Sequence, residues 1–171
     1  MLSKNGAVLV MHCQNDIVTE EGLYAASGAF SEVKRCSTLS HIAKVIKAAH
    51  EKGMLVIYIN NAFLKGYPEL KDNGLPICTS SRTSNSFLID TWGTANPDVI
   101  KPQEQGIVII NHNTSAFSYT NLDQILRAQR IEKLLLMTRS MMRSLPRLTT
   151  LSMYRRKKFL KIVIIFPFIF L

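Results

Sequence analysis

Lys52-Gly-Met-Leu-Val-Ile-Tyr-Ile59 decides the fold, because a helix stop and a buried strand meet there with no linker between them. Gly53 supplies the left-handed residue that ends many helices, and the run after it is too continuously apolar for a strand with one wet face. Upstream, from Ser31 to Lys52, the apolar positions Val33, Leu39, Ile42, Ala43, Ile46 and Ala49 recur mostly at three and four, which predicts one amphipathic helix. Further back, Ala7-Val-Leu-Val-Met11 is another short apolar run rich in β-branched residues. Residues 7 to 59 therefore read as a βαβ unit with parallel strands and a right-handed crossover.

The alternation returns later in the chain. Gly106-Ile-Val-Ile-Ile110 predicts a strand, Thr120 to Arg130 a helix with Thr120 as N-cap and Asp123 at N3, and Lys133-Leu-Leu-Leu-Met137 another strand. Strands alternating with helices imply a three-layer α/β fold, a parallel, Rossmann-like sheet covered by helices on both faces. Between the two units lies Asn60 to Gln105, about half Gly, Pro, Ser, Thr, Asn or Asp. A connection of that length inside a domain is expected to shape or cover a site.

The chain has 171 residues, 47% of them hydrophobic, and a formal net charge of +9. Its length suits a single globular domain. A large positive charge ordinarily suggests nucleic acid or an anionic membrane, but here the charge is not spread over a domain. Residues 1 to 138 hold 13 Lys+Arg against 12 Asp+Glu, whereas residues 139 to 171 hold 8 Lys+Arg and no acid. The reading is a near-neutral α/β domain over 1–138 and a basic, apolar tail over 139–171. Nucleic acid is not an expected partner. The tail's Arg155-Arg-Lys-Lys158 precedes Ile162 to Leu171, ten residues too short to span a bilayer, so weak contact with a membrane surface through 155–171 is the most it suggests.

Cys13, Cys36 and Cys78 are odd in number and irregularly spaced, which gives neither a disulfide framework nor a CxxC metal pair. The N-terminus shows no signal-peptide pattern, so a cytoplasmic location is expected.

In open parallel sheets, ligands bind beyond the carboxyl ends of the strands. The residues there are His12-Cys-Gln-Asn-Asp16, Asn60-Asn61, Asn111-His112-Asn113 and Thr138 onward. Val8-Leu-Val-Met-His-Cys-Gln-Asn-Asp-Ile-Val18 resembles the opening strand of the isochorismatase-like cysteine hydrolases, an apolar strand followed by Asp-x-Gln-Asn-Asp. Pro102 to Leu126, with Ser115-Ala116-Phe117, Thr120 and Leu122, is similar to a second segment of that family, and Arg127 to Met137 to its next helix end and strand.

The resemblance spans about residues 5 to 137. It implies hydrolysis of a C–N or vinyl-ether bond in a small molecule, without a cofactor, by a Cys nucleophile, an Asp base and a Lys. It also implies that the chain could assemble with copies of itself. All three catalytic positions depart. The Asp position holds His12, the Lys position Asn111, and the family's Gly-x-x-Thr-x-x-Cys falls on Thr138-Arg-Ser-Met-Met-Arg-Ser144, with Ser144 at the Cys position. An imidazole can still accept a proton near neutral pH, and an amide can orient a carbonyl, but neither replaces a thiolate. Gln14, Trp92 and Phe117 occupy positions that the resemblance associates with the substrate pocket, although Trp92 could equally anchor its loop in the core.

Cys13 follows His12 but alternates to the opposite side of the strand, so it is expected to be a core filler. His41 and His50 fall off the apolar stripe of the first helix and are expected in solvent. Metal-dependent relatives carry an Asp-x-His-x-x-His run after the second strand, and Asn60-Asn-Ala-Phe-Leu-Lys-Gly66 has no His, so no metal is expected.

The resemblance stops where the composition changes, which fits an impaired enzyme, incomplete at its C-terminus, with an out-of-frame or unrelated ending. A small-molecule binding module on the same scaffold is the alternative. In a rival reading the tail is in frame and Lys161 to Phe166 supplies a fifth parallel strand.

Overall fold

The computed structural model describes residues 4–70, 76–104, 106–112, 115–138, 149–155 and 158–164. Six strands, β1 (Gly6–Met11), β2 (Leu55–Asn61), β3 (Ile107–Asn111), β4 (Lys133–Thr138), β5 (Thr149–Arg155) and β6 (Lys158–Ile164), form one sheet in the order β3-β2-β1-β4-β6-β5. Neighbours are parallel except β5 and β6, which pair antiparallel. The helices are α1 (Asn15–Val18), α2 (Ala29–Arg35), α3 (Thr38–Glu51), α4 (Pro76–Ser84) and α5 (Leu122–Ala128). Among the described residues no helix is long and apolar enough to cross a membrane.

The period of two along each strand sorts the core into two layers. Val8, Val10, Val56 and Tyr58 pack with Ile42, Ile46 and Ala49 of α3. On the opposite face Leu9, Ile57, Ile59 and Ile109 pack with Leu122 and Leu126 of α5. This is the three-layer α/β arrangement expected from the alternation, with β1 at its centre between β2 and β4. β3 is an edge strand, and its Val108 and Ile110 remain 45% and 38% exposed. Tyr58 lies wholly inside the sheet, and burial pushes its phenol up to about 12, so that it stays protonated throughout the neutral range.

Three local readings differ. The helix expected over 31–52 is two helices, broken at Ser37, which stands in the left-handed region at φ 49°. At about 100° per residue a continuous helix would set Val33 roughly opposite Ile42, nine positions on; the break re-phases the chain so that both enter one core. α5 starts at Leu122 with Asn121 as its N-cap rather than Thr120. The Thr120 hydroxyl donates to the Ala116 carbonyl at 2.5 Å and stands 3.3 Å from the Leu122 amide as its acceptor, so it ties the preceding turn to the helix. Asp123 pairs with Arg127 one turn on, at 2.5 Å. The long connection between the units holds α4 and two short 3-10 turns, Trp92–Thr94 and Asp98–Ile100.

Candidate active site

β1 ends at Met11, and His12 turns the chain out of the sheet in the left-handed region, φ 52°, with its amide donating to the Ile59 carbonyl at 2.9 Å. That turn sends Gln14, Asn15 and Asp16, all at least 96% buried, toward the segment that follows α4. Each of the three makes a different attachment there.

Gln14 donates through Nε2 to the carbonyls of Asn61, 2.7 Å, and Thr94, 3.0 Å, while its Oε1 accepts from the Asn61 amide at 2.7 Å. Asn15 donates through Nδ2 to the Trp92 carbonyl at 2.8 Å, and its own amide donates to Ala95 at 2.8 Å. Asp16 accepts the Phe87 amide on Oδ2 at 2.9 Å, and Gly93 packs against its carboxylate so closely that a Cβ there would fall 2.4 Å from Cγ and both oxygens. Asn96 completes the fastening by donating to the Cys13 carbonyl at 2.9 Å and accepting from Asn60 Nδ2 at 2.8 Å.

The Gln-Asn-Asp motif thus acts in this chain as a brace. It holds residues 85–96 over the carboxyl ends of β1 and β2. Three non-glycine residues of that segment, Asn85, Phe87 and Asp90, have positive φ, a strained backbone that needs such over-determination. Tyr24 stacks on Phe87 at 5.2 Å between ring centres, and its hydroxyl lies 3.0 Å from Ser80 Oγ, which binds α4 to the same segment. Tyr67 donates to the Ser86 carbonyl at 2.7 Å; burial, then the Tyr24 and Asp16 groups, raises its phenol.

Trp92 does not anchor its loop in the core. Its side chain is 54% exposed, and the anchoring is done by its backbone carbonyl through Asn15. Phe117 is half-buried and packs against the α5 side of the sheet beside buried Ala116. His112 sits just past β3, its Nδ1 2.6 Å from the Ala62 carbonyl. His41, on α3, is half-buried rather than exposed, and its buried Nδ1 has no hydrogen-bond partner among the described residues. His50 is likewise only partly exposed.

Of the positions that the resemblance assigns to catalysis, two lie inside the described residues: His12, half-buried at the end of β1, and Asn111, fully buried at the end of β3. Asn111 pairs in register with Asn61 at the end of β2. By strand alternation Met11, Asn61, Asn111 and Thr138, the ends of β1 to β4, share the α5 face, and none carries a charge. Ser144 lies outside the described residues. Cys13 is wholly buried in the α3-side core, where no ligand reaches it. Cys36 is 2% exposed, and burial followed by the Glu32 carboxylate pushes its thiol up, the opposite of what a nucleophile needs.

Among the described residues no three His, Cys, Asp or Glu side chains converge on a point that could hold a metal. A groove of about 470 Å³, lined by Lys4, His50, Leu55, Glu104 and Ile131 among others, opens at the amino ends of the strands, away from the end where this architecture binds ligands.

The model of the isochorismatase domain matches residues 6–137. The ureidoacrylate amidohydrolase RutB of Rhizobium rhizogenes is 31% identical over 139 residues, 75% of this chain and 56% of that protein. Its counterpart in Agrobacterium fabrum is also 31% identical over 139 residues, 75% of this chain and 60% of the relative. The chain therefore spans under two thirds of the length of these curated relatives. Among solved structures, N-carbamoylsarcosine amidase from Thermoplasma acidophilum superposes with a TM-score of 0.60 at 26% identity, over 78% of this chain and 66% of that one. A structure from Desulfovibrio vulgaris reaches 0.64 at 20% identity, over 78% of this chain and 66% of its own, which speaks for the fold.

Proposed function

The chain belongs to the isochorismatase family, and from that premise we propose that it keeps the family's small-molecule pocket at the carboxyl ends of β1 to β4 while its thiol chemistry is impaired. The ligand class is a small molecule with a hydrolysable C–N bond. The similar proteins named as an amidohydrolase and an amidase support that choice over a vinyl ether.

One observation supports the reading: the Gln14 brace and the uncharged ends of β1 to β4 stand at the carboxyl end of the sheet, with His12 and Asn111 at the positions that the resemblance gives to an acid and a cation. A thiolate is stabilised by a nearby cation and formed by a nearby base. His12 could take a proton and Asn111 could orient a carbonyl, yet the sequence offers Ser144 in place of the thiol, and a serine needs an aligned base and oxyanion donors to attack. Bound substrate would be held without a covalent step.

Turnover of N-carbamoyl and ureido amides, followed by ammonia release, is expected at least about 10⁴-fold below that of a cysteine-bearing relative, the scale on which a lost nucleophile acts. It should also be indifferent to iodoacetamide. Turnover within tenfold of the relative, abolished by iodoacetamide, would show a working thiol and overturn the reading.

A further inference from the structure

We propose that the groove at the amino ends of the strands is a second binding site, which takes a small aliphatic α-amino acid by its ammonium, its carboxylate and its side chain together. It lies at the opposite end of the sheet from the pocket proposed above and stands independently of that reading.

The groove has a volume of about 470 Å³, within the range of small-molecule sites. Its place follows from the topology. Lys4 precedes β1, Met54 precedes β2, Glu104 precedes β3 and Ile131 precedes β4, so the lining crosses the amino ends of four adjacent strands. A ligand can enter beside Gly53, which stands at φ 60° and where an added side chain would meet nothing within 4 Å.

The lining offers three kinds of contact. Met54, Val56 and Ile131 are buried apolar residues, against which an aliphatic chain would leave water. Lys4 and Glu104 are exposed and opposite in charge. They border one groove, yet neither is in an ion pair: among the described residues those join Glu32 with Arg35, Asp98 with Lys101 and Asp123 with Arg127. Among the described lining residues Glu104 is the only acid and Lys4 the only Lys or Arg. A simple anion would meet Lys4 but face the Glu104 carboxylate, and a simple cation would have the reverse conflict. A zwitterion satisfies both and brings no net charge. The carboxyl ends of α3 and α5, at Glu51 and Ala128, lie at this end of the sheet, and their partial negative charge favours the ligand's ammonium.

L-leucine, isocaproate, which lacks the ammonium, and isoamylamine, which lacks the carboxylate, separate the contributions. NMR titration of the full chain, followed at the amides of Met54, Val56 and Ile131, is expected to show leucine binding at least about tenfold tighter than either analogue. Free glycine, with both charges and no side chain, should be weaker by a similar factor. Glu104→Gln should cost leucine about tenfold and leave isocaproate no weaker, and Lys4→Gln should cost leucine about tenfold and leave isoamylamine no weaker. Both substitutions fall on exposed residues, and thermal melting of the variants establishes that they are folded. Equal binding of leucine and its analogues, undiminished leucine binding in either folded variant, or no shift at the three amides overturns the proposal.

Discussion

Gln14→Leu is expected to lower the stability of the domain by about 4 kcal/mol, seen as a fall in the denaturant midpoint with an unchanged slope. Leucine matches glutamine closely in volume, so no cavity is created and the loss isolates the hydrogen bonds. Gln14 is wholly buried and satisfies the Asn61 amide and two carbonyls, those of Asn61 and Thr94. A buried group left without its partner costs about 1–3 kcal/mol, and here at least the Asn61 amide and one carbonyl are orphaned together. The same change should loosen residues 85–96, because Gln14 is one of four residues, with Cys13, Asn15 and Asp16, that attach that segment to the end of β1. Faster amide exchange at Phe87 and Ala95 would report it. A loss under 1 kcal/mol would mean that the motif does not hold the loop.

Gly93→Ala acts on the same brace from the other side. A methyl there would stand 2.4 Å from Asp16 Cγ and both carboxylate oxygens, well inside contact distance. The carboxylate has little freedom to retreat, being 97% buried and committed to the Phe87 amide at 2.9 Å. Either that bond breaks or the 3-10 turn at Trp92–Thr94 lifts. Overpacking of this kind costs about 3 kcal/mol, which corresponds to a drop in melting temperature of roughly 6–12 °C for a chain of this size. A melting temperature within 2 °C of wild type would contradict the close packing of the turn on Asp16.

The architecture was legible because its signals are local and continuous. Met54 to Ile59 follows a helix stop directly, and no competing reading accounts for a wholly apolar run in that place. The break at Ser37 was not legible. The three-and-four spacing of 31–52 carries no marker at Ser37, and only the need to bring Val33 into the core with Ile42 explains it. Thr120 gave the right kind of signal one residue early, since its hydroxyl ties down the turn before the helix while Asn121 is the N-cap.

The positions of His12 and Asn111 were readable from the resemblance, whereas the work of Gln14, Asn15 and Asp16 was not, because their partners Asn61, Phe87, Trp92, Thr94 and Ala95 lie 47 to 80 residues away and contribute mainly backbone atoms. Asn61 was visible only as one of two asparagines after a strand. Its part in the brace comes from its backbone amide and carbonyl, which no sequence pattern singles out.

β6 lies parallel to β4, from Lys133 opposite Lys161 to Leu136 opposite Ile164, while positions 139–148, with Ser144 among them, lie outside the described residues. We propose that 139–171 departs from the family's own sequence, and with it the nucleophile.

The central claim, a built pocket without a covalent step, is tested most directly by the intact mass of the chain after incubation with an N-carbamoyl amide and rapid acid quench. The account predicts only the unmodified mass. A fraction of chain heavier by the acyl group, localised by peptide mapping to Cys13, Cys36, Cys78 or Ser144, would contradict it.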